Sequence, residues 1–215
     1  MNVIPSIRTA DRYVAYLDRV IRTDPGRRAA LRRGLGRPVD DALVRRSHAV
    51  VARWLPVDRP GRAVESAYYT VAALIAAQPA RRQEPEPLPT AEAESVDPPI
   101  ASEKQEEAER PTTSLGGTLG VAVRDDKLNP TSVEERLHLL CRQDISGLHR
   151  HLPGLVRQLA AKEMAPDWGR LLVDLSGWGH RRDQIGKWWL QDFYRATNPV
   201  TTTSATDNDA EGEDQ

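Results

Sequence analysis

Residues 62–78 read Arg62-Ala-Val-Glu-Ser-Ala-Tyr-Tyr-Thr-Val-Ala-Ala-Leu-Ile-Ala-Ala-Gln78, a mostly apolar run without proline or glycine. Its large apolar side chains recur every three or four residues, at Val64, Tyr68, Val71, Leu74 and Ile75. This spacing places them on one face of an α-helix. The same periodicity dominates the neighbouring segments, and only residues 119–123 are ambiguous between helix and strand. The sequence therefore predicts an all-α fold.

Three further helices are predicted before this run, at about 9–22, 25–33 and 43–55. The second follows Asp24-Pro25, which pairs a favoured N-cap residue with proline at the first helical position. It should end at Gly34 or Gly36, and the third helix should end before Pro56. Four helices joined by short connections make a small N-terminal bundle, residues 1–78.

Two segments lack the composition of a packed core. Residues 79–113 hold seven prolines, nine acidic residues and no aromatic residue, and residues 197–215 hold five acids and no base. Such sequences bury too little apolar surface to offset the entropy lost on ordering. We therefore expect a long disordered Pro/Glu-rich linker at 79–113 and a disordered acidic tail at 197–215.

Helical periodicity resumes after this linker and predicts a second small bundle, the C-terminal one, over residues 114–196. Within it, Thr131-x-x-Glu134 has the spacing of a capping box, and Asp144 is a favoured N-cap residue. The helix after Asp144 contains Pro153, which should kink or divide it. Two more helices are predicted at about 166–177 and 181–195, the first of them ending at Gly177.

Charge is segregated along the chain, although the formal total is only −1. Residues 1–62 hold 14 Arg, no Lys and 6 Asp, a balance of +8. The two predicted bundles together carry +9, and the linker and the tail carry −10. A net charge near zero therefore conceals basic segments that could bind a polyanion.

Several classes of protein are excluded by composition. The single cysteine, Cys141, excludes an internal disulfide framework and a cysteine cage for a metal, and it is typical of a reducing compartment. No apolar run approaches the ~20 residues that span a bilayer. The N-terminus lacks the apolar region of a signal peptide. We expect a cytoplasmic protein without a membrane partner.

No pattern of catalytic residues is apparent. His149 and His151 point to different sides of a helix, so they are a poor metal pair. Leu115-Gly-Gly-Thr-Leu-Gly120 lacks the Lys-Ser/Thr that completes a phosphate-binding loop. We predict no enzyme activity, no catalytic residue, no metal site and no cofactor.

The arginines are the chemically informative residues. A guanidinium group makes bidentate contacts with phosphate, and the segment 22–46 contains no aromatic residue on which a base could stack. Binding there should therefore follow the phosphate backbone rather than read bases. The simpler alternative is a solvated, arginine-rich surface. Helical spacing and local charge give the candidate nucleic-acid-binding residues Arg28, Arg32, Arg33, Arg46, Arg53, Arg136, Arg142, Arg157 and Arg181.

Five segments occur in a familiar order: Arg27-Arg-Ala-Ala-Leu-Arg-Arg33, Ala67-Tyr-Tyr-Thr-Val-Ala-Ala-Leu74, Ser114-Leu-Gly116, Glu135-Arg-Leu-His-Leu-Leu-Cys-Arg142 and the block from Asp167-Trp168 to Phe193-Tyr194. Together they resemble CasB, the small subunit of the type I-E CRISPR effector complex called Cascade. The chain departs from that family at Gly117, where the family often has a basic residue. The acidic linker and tail also look like additions to it.

The resemblance implies a non-catalytic, two-part helical subunit that acts in antiviral defence. Its implied partners are the backbone-forming and large subunits of Cascade, a second copy of itself, the CRISPR RNA–target DNA hybrid and the displaced DNA strand. The chain would help to hold the opened target DNA, the R-loop. Five of the candidates match basic positions of the family, namely Arg32, Arg33, Arg142, Arg157 and Arg181. The others, Arg28, Arg46, Arg53 and Arg136, rest on charge and helical spacing alone.

Two alternatives remain open at the level of sequence. The chain could be a protein-interaction scaffold whose arginine faces pair with acidic surfaces of partner subunits. Alternatively, the acidic linker and tail could shield the basic faces from stray nucleic acid. The two alternatives are distinguished by whether the purified chain binds single-stranded DNA, and by whether that binding strengthens when the acidic segments are removed.

Overall fold

The structure, a computed structural model, describes residues 4–57, 60–79 and 110–198. In these ranges it contains α-helices, two 3₁₀ turns and no β-strand, which confirms the all-α prediction. The helices are α1 Ile7–Thr23, α2 Pro25–Arg33, α3 His48–Val51, α4 Arg62–Ala77, α5 Leu115–Arg124, α6 Pro130–Cys141, α7 Ile145–Ala160 and α8 Trp168–Thr197. None of the described helices is both long enough and apolar enough to cross a bilayer.

The core is built around α4 and α8. Helix α4 is buried along nearly all of its length, and α8 packs against α1, α4 and α5. Buried side chains from before and after the predicted linker form one hydrophobic cluster, which includes Tyr13, Leu74, Leu119 and Trp189. The helices of the two predicted bundles therefore share a core, and the independent folding of each bundle remains a prediction.

Two polar contacts also join these two parts of the chain. The buried His149 Nδ1 of α7 lies 2.8 Å from Thr70 Oγ1 of α4. Arg110, the first residue described after the linker, forms ion pairs with Asp11 of α1 at 2.6 Å and Asp167 at 2.7 Å. Most of the predicted linker and tail lies outside the described residues, but residues 110–113 contact the helices on both sides.

The first two helices and α4 begin as the sequence predicts. Asp24 caps α2 by accepting a hydrogen bond from the Arg27 amide at 2.9 Å, and Pro25 takes the first helical position. The predicted single helix at 43–55 is wrong. The segment consists of a 3₁₀ turn at Arg45–Ser47, the four-residue α3 and a second 3₁₀ turn at Ala52–Trp54. Because a 3₁₀ turn has three residues per turn, the α-helical register assumed for this segment does not hold.

The C-terminal part corrects three further predictions. Residues 119–123, ambiguous in sequence, are helical in α5. The N-cap of α6 is Asn129, which accepts from the Ser132 amide at 3.0 Å with Pro130 at the first helical position, so the predicted capping box is wrong. Pro153 does not divide α7, and its ring is buried on the inner face of that helix.

Helix α8 is bent rather than interrupted at Gly177. Its backbone leaves helical geometry at Arg181, with φ −127° and ψ 23°. In a straight helix residues 174 and 189 would be about 22 Å apart. Instead the Trp189 Nε1 donates a hydrogen bond to the buried Asp174 Oδ2 at 2.7 Å. The two segments of α8, residues 168–180 and 182–197, therefore fold back on each other.

The glycines of residues 115–120 serve helix packing. A Cβ built on Gly116 would overlap the Trp189 carbonyl oxygen, and one built on Gly120 would lie 2.7 Å from Ala196 Cβ. These glycines therefore let the backbone of α5 approach the second segment of α8 closely. Gly117, where the resembling family often has a basic residue, is buried and donates its amide to Ser114 Oγ at 3.1 Å.

Candidate nucleic-acid interface

The arginines of α2 have different surroundings. Arg28 is partly buried, and its Nε and Nη2 donate to the carbonyl oxygens of Ala76 at 3.2 Å and Gln78 at 2.7 Å. It therefore satisfies carbonyls at the C-terminal end of α4, and its guanidinium is committed to the fold. Arg32 and Arg33 are exposed in the last turn of α2, where they can meet a ligand in solution.

Arg46 and Arg53 are both exposed and lie in the two separate 3₁₀ turns. The seven-residue relation that was expected to place them on one helix face does not apply, because these turns are not α-helical. Arg53 lies over the ring of Tyr16 in α1, with 5.4 Å between Cζ and the ring centroid. This contact places Arg53 beside α1.

Arg136, Arg142 and Arg157 are exposed on α6, at its end and on α7. Arg142 lines a cleft of about 480 Å³ together with Glu134 and Glu135. The two carboxylates lower the local potential, so the cleft is a weaker phosphate site than an arginine on a purely basic face.

Arg181 lies in a larger groove of about 660 Å³ at the bend of α8. The groove is lined by the basic residues Arg62, His180, Arg181 and Arg182, and on its rim by Asp144, Ser146, Asp183 and Gln184. Arg62 is the first residue of α4, before the linker, and the other basic residues follow it. The groove thus lies between the two parts of the chain and is formed only when they pack together.

The chemistry of the groove suits a phosphate group better than a base. Trp178 also lines it, but this ring is only 2% exposed, and its Nε1 donates to the Gln143 carbonyl at 3.1 Å. The groove therefore has no open aromatic face on which a base could stack. Arg182 is paired with Asp183 at 3.0 Å, whereas Arg62 forms no ion pair with the described residues.

Sequence reasoning missed Arg62, because nothing in its neighbourhood separates it from other arginines at a helix start. It named Arg182 only as a possible continuation of a basic track. Of the nine candidates, the structure places Arg181 alone in this groove. Arg53 lies beside α1, and no contact joins Arg32 and Arg33 to the groove.

Histidines and aromatic residues have structural roles. No group of three or more metal-ligating side chains occurs in the described ranges. Burial lowers the pKa of His149 to about 4, so this imidazole is neutral at pH 7. Trp189 and Phe193 are buried in the core, as the apolar spacing predicts.

Taken together, the fold and the site define a class: an all-helical chain with arginines on several exposed faces and an arginine-lined groove between its two parts. The family model for CRISPR-associated protein Cse2 matches residues 27–194. The chain belongs to the Cse2 family, and its resemblance to CasB is confirmed.

Solved structures support the same assignment. One similar chain comes from a structure described as a CRISPR RNA-guided surveillance complex, with 38% identity, 89% of this chain and 94% of that chain covered, and a TM-score of 0.69. Another, from such a complex described as pre-nicking, has 40% identity, the same coverage and a TM-score of 0.70. CasB from M. ruber shares the fold at 23% identity, with 87% and 93% covered and a TM-score of 0.59. No match was found among curated protein sequences.

Proposed function

We propose that this chain is the non-catalytic small subunit of a type I-E CRISPR RNA-guided surveillance complex in the cytoplasm. In this role it binds the nucleic-acid backbone and stabilises the opened target DNA, including the displaced strand. The observation that carries the proposal is the groove at the bend of α8, where Arg62 and Arg181 converge from the two parts of the chain.

The physical role follows from how such complexes divide recognition. Sequence is read by pairing between guide RNA and target, so a protein that holds the opened strand needs contacts that are indifferent to sequence. Guanidinium groups supply such contacts to phosphates, and the groove offers no aromatic platform for reading bases. The exposed Arg32 and Arg33 of α2 would add contacts on another face.

The partners of this role are the other subunits of the complex, the CRISPR RNA–target DNA hybrid and a second copy of the chain. The identity of 38% to a chain of a surveillance complex, over 89% of this chain, supports the assignment to such a complex. The linker and tail have no part in this proposal, because most of their residues lie outside the described ranges.

The proposal predicts salt-dependent binding of single-stranded DNA that weakens when Arg62→Gln and Arg181→Gln are combined. With ~4 phosphate contacts, a fourfold rise in salt should weaken wild-type binding by roughly 50-fold. With ~2 contacts left in the variant, the same rise should weaken binding by only about 7-fold. Fluorescence anisotropy of a labelled oligonucleotide of mixed sequence measures both.

A matched control removes the same charge elsewhere. Arg124 and Arg195 are exposed and paired with Asp125 and Asp192 at 3.1 and 3.2 Å, so Arg124→Gln with Arg195→Gln should leave the salt dependence close to wild type. Wild-type binding that does not change with salt would refute the electrostatic role, and it would favour the protein-interaction scaffold.

A further inference from the structure

Helix α1 carries a stripe of arginines that the preceding sections leave without a role. Arg8, Arg12, Arg19 and Arg22 are all exposed. At 100° per residue they fall, with Ala15, within about 80° of the helix circumference, and they extend over about 21 Å of its length. The buried residues Ile7, Ala10, Tyr13, Leu17 and Val20 lie on the opposite side. We call these four residues the α1 arginine stripe.

This arrangement is unfavourable for the helix itself. Like charges three or four residues apart repel each other, as in the pairs Arg8 with Arg12 and Arg19 with Arg22. Arg8 also lies in the first turn, which has no acidic residue and where the helix dipole disfavours a cation. Asp11, which could compensate, is engaged by Arg110 at 2.6 Å. An ordinary solvated face intersperses both signs of charge, whereas this arc has one sign only.

Arg53 extends the stripe on one flank. It lies over the ring of Tyr16, which follows Arg12 by four residues and precedes Arg19 by three. Neighbours at this spacing share one side of a helix. The guanidiniums of Arg12, Arg19 and Arg53 therefore surround one aromatic side chain at the edge of the stripe, and those of Arg12 and Arg19 form no ion pair with the described residues.

We propose that the α1 arginine stripe, with Arg53, is a second binding surface for the sugar–phosphate backbone of a nucleic acid. The inference rests on the proposed function, but it concerns residues outside the groove, and α1 precedes the part of the chain that matches the Cse2 family at 27–194. A protein partner fits less well, because protein interfaces are anchored by large apolar and aromatic side chains. The centre of this face offers only Ala15.

The test compares Arg12→Gln with Arg19→Gln, combined in one full-length variant, with wild type and with the paired-arginine control at Arg124 and Arg195. The probe is the same labelled single-stranded oligonucleotide. Loss of two phosphate contacts should reduce the magnitude of the slope of log affinity against log salt by about 1.4. Lysine at both positions should restore most of that slope, because an ammonium still neutralises a phosphate. The melting temperature should not fall, since the removed charges repel their neighbours.

Each result decides the inference. A Gln variant whose affinity and slope equal those of the control would overturn the second surface while leaving the groove intact. Absence of binding by the wild-type chain would instead refute the proposed function, and the stripe with it. A variant that binds DNA normally but no longer co-elutes with the assembled complex would assign the stripe to a protein interface. A large fall in melting temperature would assign these arginines to the fold.

Discussion

At the scale of single residues, equal side chains have unequal roles. The sequence correctly indicates that arginine is the informative residue type, but it cannot separate Arg28 from Arg32. The difference arises because the carbonyls of Ala76 and Gln78, far along the chain, accept hydrogen bonds from Arg28. Arg62 shows the converse case, since its importance depends on the bend of α8 that brings Arg181 towards it.

The buried pair of His149 and Thr70 leads to a prediction of pH dependence. Burial lowers the pKa of His149 from 6.5 to about 4 in the folded chain. Above pH 6.5 the imidazole is neutral in both states, so its stabilising contribution is fully present there. As the pH falls from 6.5 to 4, the unfolded state takes up a proton that the folded state does not. The free energy of unfolding should therefore drop by an amount on the order of 3 kcal/mol over this range.

Urea denaturation at a series of pH values measures this change. His149→Gln removes the titrating group and keeps a side chain that can hydrogen-bond to Thr70. The difference between wild type and variant isolates the histidine from the carboxylates, which also titrate on the acidic side. Parallel stability curves for the two proteins between pH 6.5 and 4 would show that His149 does not carry the effect.

At the scale of elements, long periodic segments are predicted well and short ones are not. Helices α1, α2 and α4 follow from apolar spacing and from caps such as Asp24, because local chemistry and burial agree there. The segment 43–55 has the same apolar spacing, yet it forms short turns around α3. In α8 the break falls at Arg181 rather than at Gly177, since the bend is fixed by the distant contact between Asp174 and Trp189.

The glycines of α5 give a prediction about helix packing. Gly116→Ala introduces a methyl group where the Trp189 carbonyl oxygen already lies, so α5 and α8 must separate. Overpacking of this kind costs typically 1–3 kcal/mol, more than the ~1 kcal/mol that alanine gains over glycine in a helix. The free energy of unfolding should decrease, as measured by chemical denaturation.

Gly154 offers the matched control in α7. It is exposed, and a Cβ there meets no atom within 4 Å. Gly154→Ala should therefore leave the free energy of unfolding unchanged or raise it by up to ~1 kcal/mol. Equal effects of the two substitutions would mean that the contact between α5 and α8 is not tight.

At the scale of the whole molecule, the charge pattern and the core give different information. The sequence places +9 in the two predicted bundles and −10 in the linker and tail, and this segregation points towards a polyanion. It does not indicate that helices from both bundles share one buried cluster, or that the groove forms where they meet. Those features depend on contacts between residues on opposite sides of the linker, which no local pattern encodes.

The lifetime of the opened target DNA in the assembled surveillance complex tests the central claim most directly. It should be compared for complexes that contain the wild-type chain, the variant with Arg62→Gln and Arg181→Gln, or the paired-arginine control, with co-elution confirming that each chain is incorporated. The variant should let the opened duplex close faster than the wild-type chain and the control do, because phosphate contacts in the groove are lost. Equal lifetimes for all three complexes would contradict a role of this chain in holding the opened DNA through the groove.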